Sequence, residues 1–183
     1  MTTALALNID AKITFAKAIA ASDMLPKQYR NNPANLVWAC EYAESLGLPR
    51  MTAITGVFVV DGRPAASADL IASLVRRAGH KLRVWGDDTV AHAQIIRKDD
   101  PDFDGFKVTW TMERAKTAGL AGKDVWRKYA AAMLRARAVT EVARMAASDC
   151  LHGCIYTPEE LGASVDEDGK PTVDAVVVPL RVV

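Results

Sequence analysis

The chain has 183 residues, half of them hydrophobic and a quarter charged, an ordinary globular balance that suits one domain with a real core. No apolar run approaches the length of a membrane span, and the start, MTTALALNIDAK, has neither a basic segment nor a cleavage site, so a soluble, cytoplasmic protein is expected. The net charge of +1 hides an asymmetry: residues 1–75 balance at zero, residues 76–148 carry +6 and residues 149–183 carry −5. A basic middle with an acidic end is the pattern expected when one surface meets a polyanion. The three cysteines, an odd number, fit a reducing compartment better than a disulfide framework.

Asp10 caps a first helix, from Ala11 to about Ala21, with Ile13, Ala16, Ile19 and Ala20 on one face. A second helix begins at the Asn32 cap and Pro33 and ends at Gly47, its apolar residues Leu36, Val37, Cys40, Ala43 and Leu46 recurring at helical spacing. The period then changes: Ile54 to Val60 reads as a strand, and Asp61-Gly62 is a hairpin turn. Ser67 caps a third helix, Ala68 to Ala78, which Gly79 stops.

Three strands follow, Lys81–Trp85, Thr89–Ile96 and Phe106–Thr111, joined by polar turns. A short helix, Met112 to Ala118, ends at Gly119, and Asp124 caps a long helix to about Ala147. Thr157-Pro158-Glu159-Glu160 has the form of a capping box. The stretch SVDEDGKPTVD is acidic and turn-rich, and the chain closes on the apolar run VVVPLRVV.

On the long helix, 100° per residue places Trp126, Met133, Arg137, Thr140 and Arg144 on one face and Ala131, Ala138, Val139 and Val142 opposite. Arginines two turns apart are separated by about 10.5 Å, within reach of neighbouring phosphates of one strand. Solvated arginines that snorkel from a helix packed on the sheet are the other reading of the same spacing.

These residues stand in a familiar order. Trp126, Met133-Leu134-Arg135, Arg137-Ala138, Ala143-Arg144, Gly153, Ile155-Tyr156 and Glu159 follow one another as in the RecT/Redβ family of phage single-strand annealing proteins. Upstream, Ile95-Ile96-Arg97-Lys98-Asp99 and Val108-Thr109-Trp110 resemble that family's strand ending in arginine-lysine-aspartate and its next strand. Asn32-Pro33, Glu41, Leu46-Gly47-Leu48-Pro49 and Val59 to Leu70 resemble its helix–turn–hairpin–helix opening, so the resemblance spans about residues 32–161.

The resemblance implies a homo-oligomer, helical or ring-like, whose deep basic groove holds one strand extended for pairing with its complement. Annealing of this kind needs no general base or nucleophile, because base pairing supplies the free energy. Arg137 and Arg144 match the family's groove cations, with Arg135 beside them, and Arg97 and Lys98 match cations at a strand end. Ala130-Ala131-Ala132 depart from the family, whose members often carry basic residues there. The family's C-terminal module for docking an exonuclease or the host single-strand binding protein has no counterpart in residues 163–183, which leaves that partnership open.

Other motifs point elsewhere. Asp100-x-Asp102-x-Asp104-Gly105 opens like a calcium loop, but its twelfth position is Thr111 and strands flank it. The same acids with Asp87 and Asp88 suggest a two-metal nuclease, although acids of one turn seldom converge with those of others. Cys150-x-His152-x-Cys154 has no second ligand pair for zinc. Gly119-x-x-Gly122-Lys123 is too short for a phosphate loop, and His80 and His92 have no partners at catalytic spacing. Trp85, Trp110, Trp126 and Tyr129 are candidates to stack bases, although aromatics in alternating strands more often fill a core; Trp126, on the arginine face, ranks first.

The expectation is therefore an α+β fold: a small antiparallel or mixed sheet flanked by helices, with a long C-terminal helix lining a basic groove. Residues 1–162 form one DNA-binding and annealing domain, and residues 163–183 an acidic, mobile tail. The expected function is single-strand DNA binding and annealing in homologous recombination, without ATP, in the cytoplasm of a bacterial host. The DNA-binding set is Arg137, Arg144, Arg135, Arg97, Lys98, Trp126, Arg127 and Lys128, with no catalytic residue and no metal ligand. Partners are single-stranded DNA, annealed duplex and further copies of the chain. No cofactor is expected, and magnesium has no complete site. A metal-dependent nuclease and an oligomeric scaffold that binds no DNA are the alternatives.

Overall fold

The computed structural model describes residues 9–172. They pack as two compact units that divide after Val57. The architecture is α+β.

The first unit is helical. Helix α1 (Ile9–Ile19) begins slightly earlier than expected, with Asp10 in its first turn. Helix α2 (Pro33–Ser45) starts as the sequence predicts, the Asn32 side chain accepting the Asn35 N–H at 3.2 Å. Helix α3 (Arg50–Gly56) stands where a strand is expected from Ile54. Pro49 enters extended, and its carbonyl accepts the amides of Thr52 (3.0 Å) and Ala53 (3.3 Å), which closes a first turn. Ile54 then joins Ala16, Tyr29 and Leu36 in one apolar cluster. Burial of that side chain outweighs the strand preference of a β-branched run.

A hairpin begins at the boundary, its first strand residue, Val57, being the last of the first unit. Asp61 and Gly62 have φ of 49° and 73°, the positive pair that a type I′ turn requires, between β1 (Val57–Val60) and β2 (Arg63–Ala66). Ser67 caps α4 (Ala68–Arg77), accepting the Leu70 N–H at 3.2 Å. Strands β3 (Lys81–Gly86), β4 (Val90–Ile96) and β5 (Phe106–Thr111) form an antiparallel sheet in that order, with Leu82, Ile95 and Phe106 in one row and Trp85, His92 and Thr109 in another. Gly105, before β5, has φ of +88°, and a Cβ there would lie 2.4 Å from the Ile95 carbonyl oxygen. Helix α5 (Met112–Thr117) follows.

The expected long helix is two: α6 (Asp124–Lys128) and α7 (Ala130–Ala146), separated at Tyr129, whose ψ is 50°. No proline or glycine marks that break in the sequence. Helix α7 packs against β4, β5 and α4. Its buried residues (Met133, Leu134, Ala138, Val139, Thr140, Val142, Ala143 and Ala146) run round most of its circumference, and only Arg135 and Met145 on it are exposed. It is thus the centre of the second unit's core, and part of its 132–139 stretch also walls a cavity.

The Thr157–Glu160 capping box closes as expected, Glu160 Oε2 accepting the Thr157 N–H at 2.9 Å and Thr157 Oγ1 the Glu160 N–H at 3.4 Å, but the chain makes only turns there and no helix grows from it. Within the stretch expected to be a mobile tail, Val165 bridges Pro171 and is buried. The apolar run at 176–183 lies outside the described residues. Among those residues no helix is long and apolar enough to cross a membrane.

Candidate nucleic-acid interface

The two arginines expected to hold phosphate are held by the protein. Glu159 is 7% exposed and the Glu160 side chain 5%, and together they occupy the Arg137 and Arg144 face of α7. One Arg137 Nη donates to Glu159 Oε2, and the other lies 3.5 Å from Glu160 Oε1. Arg144 Nη1 is 3.0 Å from Glu160 Oε1 and donates to the Ile155 carbonyl at 3.0 Å. Thr140 Oγ1 reaches Glu160 at 3.2 Å, and Lys123 Nζ donates to Glu159 Oε1 at 2.9 Å. A carboxylate is bidentate and planar like a phosphate edge, so this turn satisfies the arginines with the chemistry a DNA strand would offer.

Trp126 belongs to the same cluster. It is fully buried, with its indole N–H 3.4 Å from Glu159 Oε1, so it has no open face for a base. The sequence places it correctly beside the arginines; the environment makes it core.

Burial alone would push the Glu159 carboxyl up, but the Lys123 hydrogen bond and the Arg137 and Lys123 charges outweigh it and hold the group below the ordinary glutamate range. A carboxyl whose folded pKa is depressed adds stability above its unfolded value and loses it as pH falls through the folded one. Stability is therefore expected to drop below about pH 4.5, and Glu159→Gln should flatten that part of the profile. Chemical denaturation at stepped pH measures it; identical acid slopes in the two proteins would count against the assignment.

The remaining expected cations divide into bound and exposed. Arg97 donates to Asp99 (2.8 and 2.9 Å), to Asp149 (3.0 Å twice) and to the Ala146 carbonyl at the C-terminus of α7 (2.6 Å). Its hydrogen bonds hold Asp99 down at about 2. Arg97 thus ties the end of β4 to the end of α7. Arg127 and Lys128 are exposed and share Asp124, at 3.1 and 2.7 Å. Lys98 is exposed, as is Arg135, which lines a cavity of about 390 Å³. Arg76 and Arg137 line it too, but so do Asp69, Glu159, Glu167 and Asp168, and that mixed charge does not suit a polyanion.

A different surface has the right sign. Helix α7 covers one face of the β3–β4–β5 sheet, burying Leu82, Ala91, Ala93, Ile95, Val108 and Trp110. By alternation Lys81, Arg83, Trp85, His92, Lys107 and Thr109 point to the other face. Lys81, Arg83 and Lys107 are exposed, make no ion pair among the described residues, and share the outward strand positions with no carboxylate. Trp85 is 42% exposed and stacks on His92 across the strands, centroids 5.3 Å apart and planes 29° from parallel. Lys107 Nζ lies 5.2 Å from the Trp85 ring centre, and His92 Nδ1 is 2.8 Å from Thr109 Oγ1.

Of this face the sequence reading names Trp85, as a stacking candidate, and His92, as a histidine without catalytic partners, but none of the three cations. The missed signal is parity: Lys81, Arg83 and Trp85 alternate with Leu82 and Val84, so a strand that reads as half-buried places its cations and its tryptophan on one side. The acids at Asp100, Asp102 and Asp104 lie in the β4–β5 turn, and among the described residues no group of three histidines, cysteines or acids is placed to hold a metal ion. Neither a protein-family model nor a curated protein matches the chain.

Proposed function

We propose that this protein binds single-stranded DNA and, as a homo-oligomer, pairs complementary strands without a covalent step. The observation that carries the reading is the open sheet face, where Lys81, Arg83 and Lys107 project with no carboxylate at an outward strand position. Uncommitted cations on a shallow sheet hold phosphates without reading sequence, which is what a strand-pairing protein requires. The order of motifs from Asn32 to Glu159, similar to that of single-strand annealing proteins, supports the pairing step and the oligomer. Phosphate holding is assigned to the sheet, with Arg127, Lys128 and Lys98 as weaker contributors, because Arg137, Arg144 and Arg97 already have protein carboxylates.

Fluorescence anisotropy with a labelled oligonucleotide tests the reading. Affinity should fall with salt at a log–log slope of about −0.7 per phosphate neutralised. The pair Arg83→Glu with Lys107→Glu should weaken binding on the order of tenfold or more and flatten the slope, with Tm unchanged because neither side chain supports the core. Annealing of complementary strands, followed by energy transfer between end labels, should fall in parallel. Absence of single-strand binding, or affinity indifferent to salt, overturns the proposal; strand cleavage in magnesium would point to a nuclease instead.

A further inference from the structure

We infer that the Trp85–His92 ring pair is a base-stacking platform, which takes an unpaired nucleobase while Arg83 and Lys107 hold the flanking phosphates. The inference rests on the single-strand reading above and adds to it how the surface separates single strands from duplex.

The ring pair has features that core packing does not explain. Trp85 is 42% exposed on a strand whose inward positions are already filled by Leu82 and Val84, and its surface is not needed to close the core. Its ring is nevertheless held. His92 stacks on it from the central strand, and His92 is in turn fixed through Nδ1 by Thr109 of β5 at 2.8 Å. One row of the sheet, Trp85–His92–Thr109, is therefore an aromatic surface with its orientation set from behind. An exposed ring that is already ordered loses little side-chain entropy when a ligand stacks on it.

The neighbouring row supplies the charge. Arg83, Gln94 and Lys107 lie across the three strands two residues from the aromatic row, about 7 Å along the strands. Phosphates follow one another every 3.4 Å of axis in a duplex strand and lie farther apart when the bases are unstacked. Cations one row away thus suit the backbone of a base lying on the rings. The Lys107 ammonium lies over the Trp85 ring, 5.2 Å from its centre, so positive charge is on the platform before any ligand arrives and moves from the ring to a phosphate when a base takes its place. The charge decides the occupant. The strand positions of this face carry cations and no carboxylate, with acids such as Asp87, beside His92, and Asp104, beside Gln94, confined to the turns at its ends, so its middle complements a polyanion that carries aromatic bases. An unpaired strand offers those bases along its whole length, whereas within a duplex each is stacked on both sides and only the two end pairs have a free face.

Titration of the full-length protein with an oligothymidylate and with a blunt duplex of mixed sequence tests this, read by tryptophan fluorescence and by anisotropy. Binding of the single strand should quench emission, and Trp85→Phe should remove most of the quenching while keeping most of the affinity. Trp85→Ala should weaken single-strand binding about tenfold, leave the weaker duplex binding almost unchanged, and leave the salt slope as it was. Lys107→Ala, by contrast, should reduce the slope by about 0.7. If Trp85→Ala binds the single strand as tightly as the unaltered protein while Lys107→Ala binds more weakly, the stacking platform is overturned and the phosphate-binding reading stands. If the unaltered protein binds no single strand, both fall. Equal loss of single-strand and duplex affinity in Trp85→Ala also overturns the platform, because an intact duplex has no free base face away from its two ends.

Discussion

Arg137→Ala is expected to destabilise the protein by about 3–5 kcal/mol, because it leaves buried carboxylate charge without its partner. In a chain of this size that corresponds to a fall in Tm of about 6–20 °C. Arg137 is 15% exposed, and its two partner carboxylates are 7% and 5% exposed, so none of the three can simply turn into water. Lys123 would still neutralise part of Glu159, but Glu160 would keep only Arg144 and the hydroxyl and amide donors of Thr140 and Thr157. The gain from the pair is not complete, since Arg137 Nε is buried with no hydrogen-bond partner among the described residues. Arg137→Met combined with Glu159→Gln should therefore cost less than Arg137→Ala alone, since it removes charge from both sides. Arg144→Ala should cost less again, because Arg144 is 25% exposed and shares only Glu160. Helix geometry by itself gives the opposite expectation, that alanine at 137 or 144 weakens DNA binding and spares the fold. Thermal unfolding beside strand binding decides: a folded Arg137→Ala of normal Tm that no longer binds DNA would return that arginine to the groove.

Trp126→Ala is expected to cost about 3–5 kcal/mol, the range for deleting a large aromatic side chain from a packed site. Trp126 is among the largest fully buried side chains in the protein, and its indole N–H faces Glu159. The variant would lose apolar burial, open a cavity and remove one donor from a buried carboxylate. Trp126→Phe, which keeps most of the volume, should cost distinctly less. Denaturant midpoints measure both. If Trp126→Ala unfolds at the same midpoint as the unaltered protein, the residue is not core, and its candidacy for base stacking reopens.

These two residues also show which parts of the site can be read from order along the chain. The sequence puts Trp126, Arg137 and Arg144 together on one helical face, and the structure does bring them to one cluster. It also marks Thr157 to Glu160 as a capping box, and the reciprocal bonds form. What the sequence does not contain is that these two local features meet. Glu159 comes 22 residues after Arg137, and nothing in the spacing says that its carboxylate closes on the guanidinium rather than facing water. The basic charge of residues 76–148 is real, but much of it is spent on internal carboxylates, and a count of charges cannot separate spent cations from open ones.

The strands and caps were legible because their causes are local. Asn32, Ser67 and the Asp61-Gly62 turn act within three or four residues, and β3, β4 and β5 lie within a residue of where alternation places them. Helix α3 and the break at Tyr129 were not legible. Ile54 is helical because its side chain fills a cluster built by α1 and α2, and local propensities of a few tenths of a kcal/mol yield to burial worth several times as much. The same division holds for function. Sequence alone determined which residues carry positive charge, which strand positions share a face, and that Trp85 stands in line with Lys81 and Arg83. Only the tertiary structure decided which face of the sheet α7 covers, and hence that Trp110 is buried while Trp85 stays open. The physical reason is that a side chain's availability depends on what packs over it, and packing is settled between residues far apart in the chain.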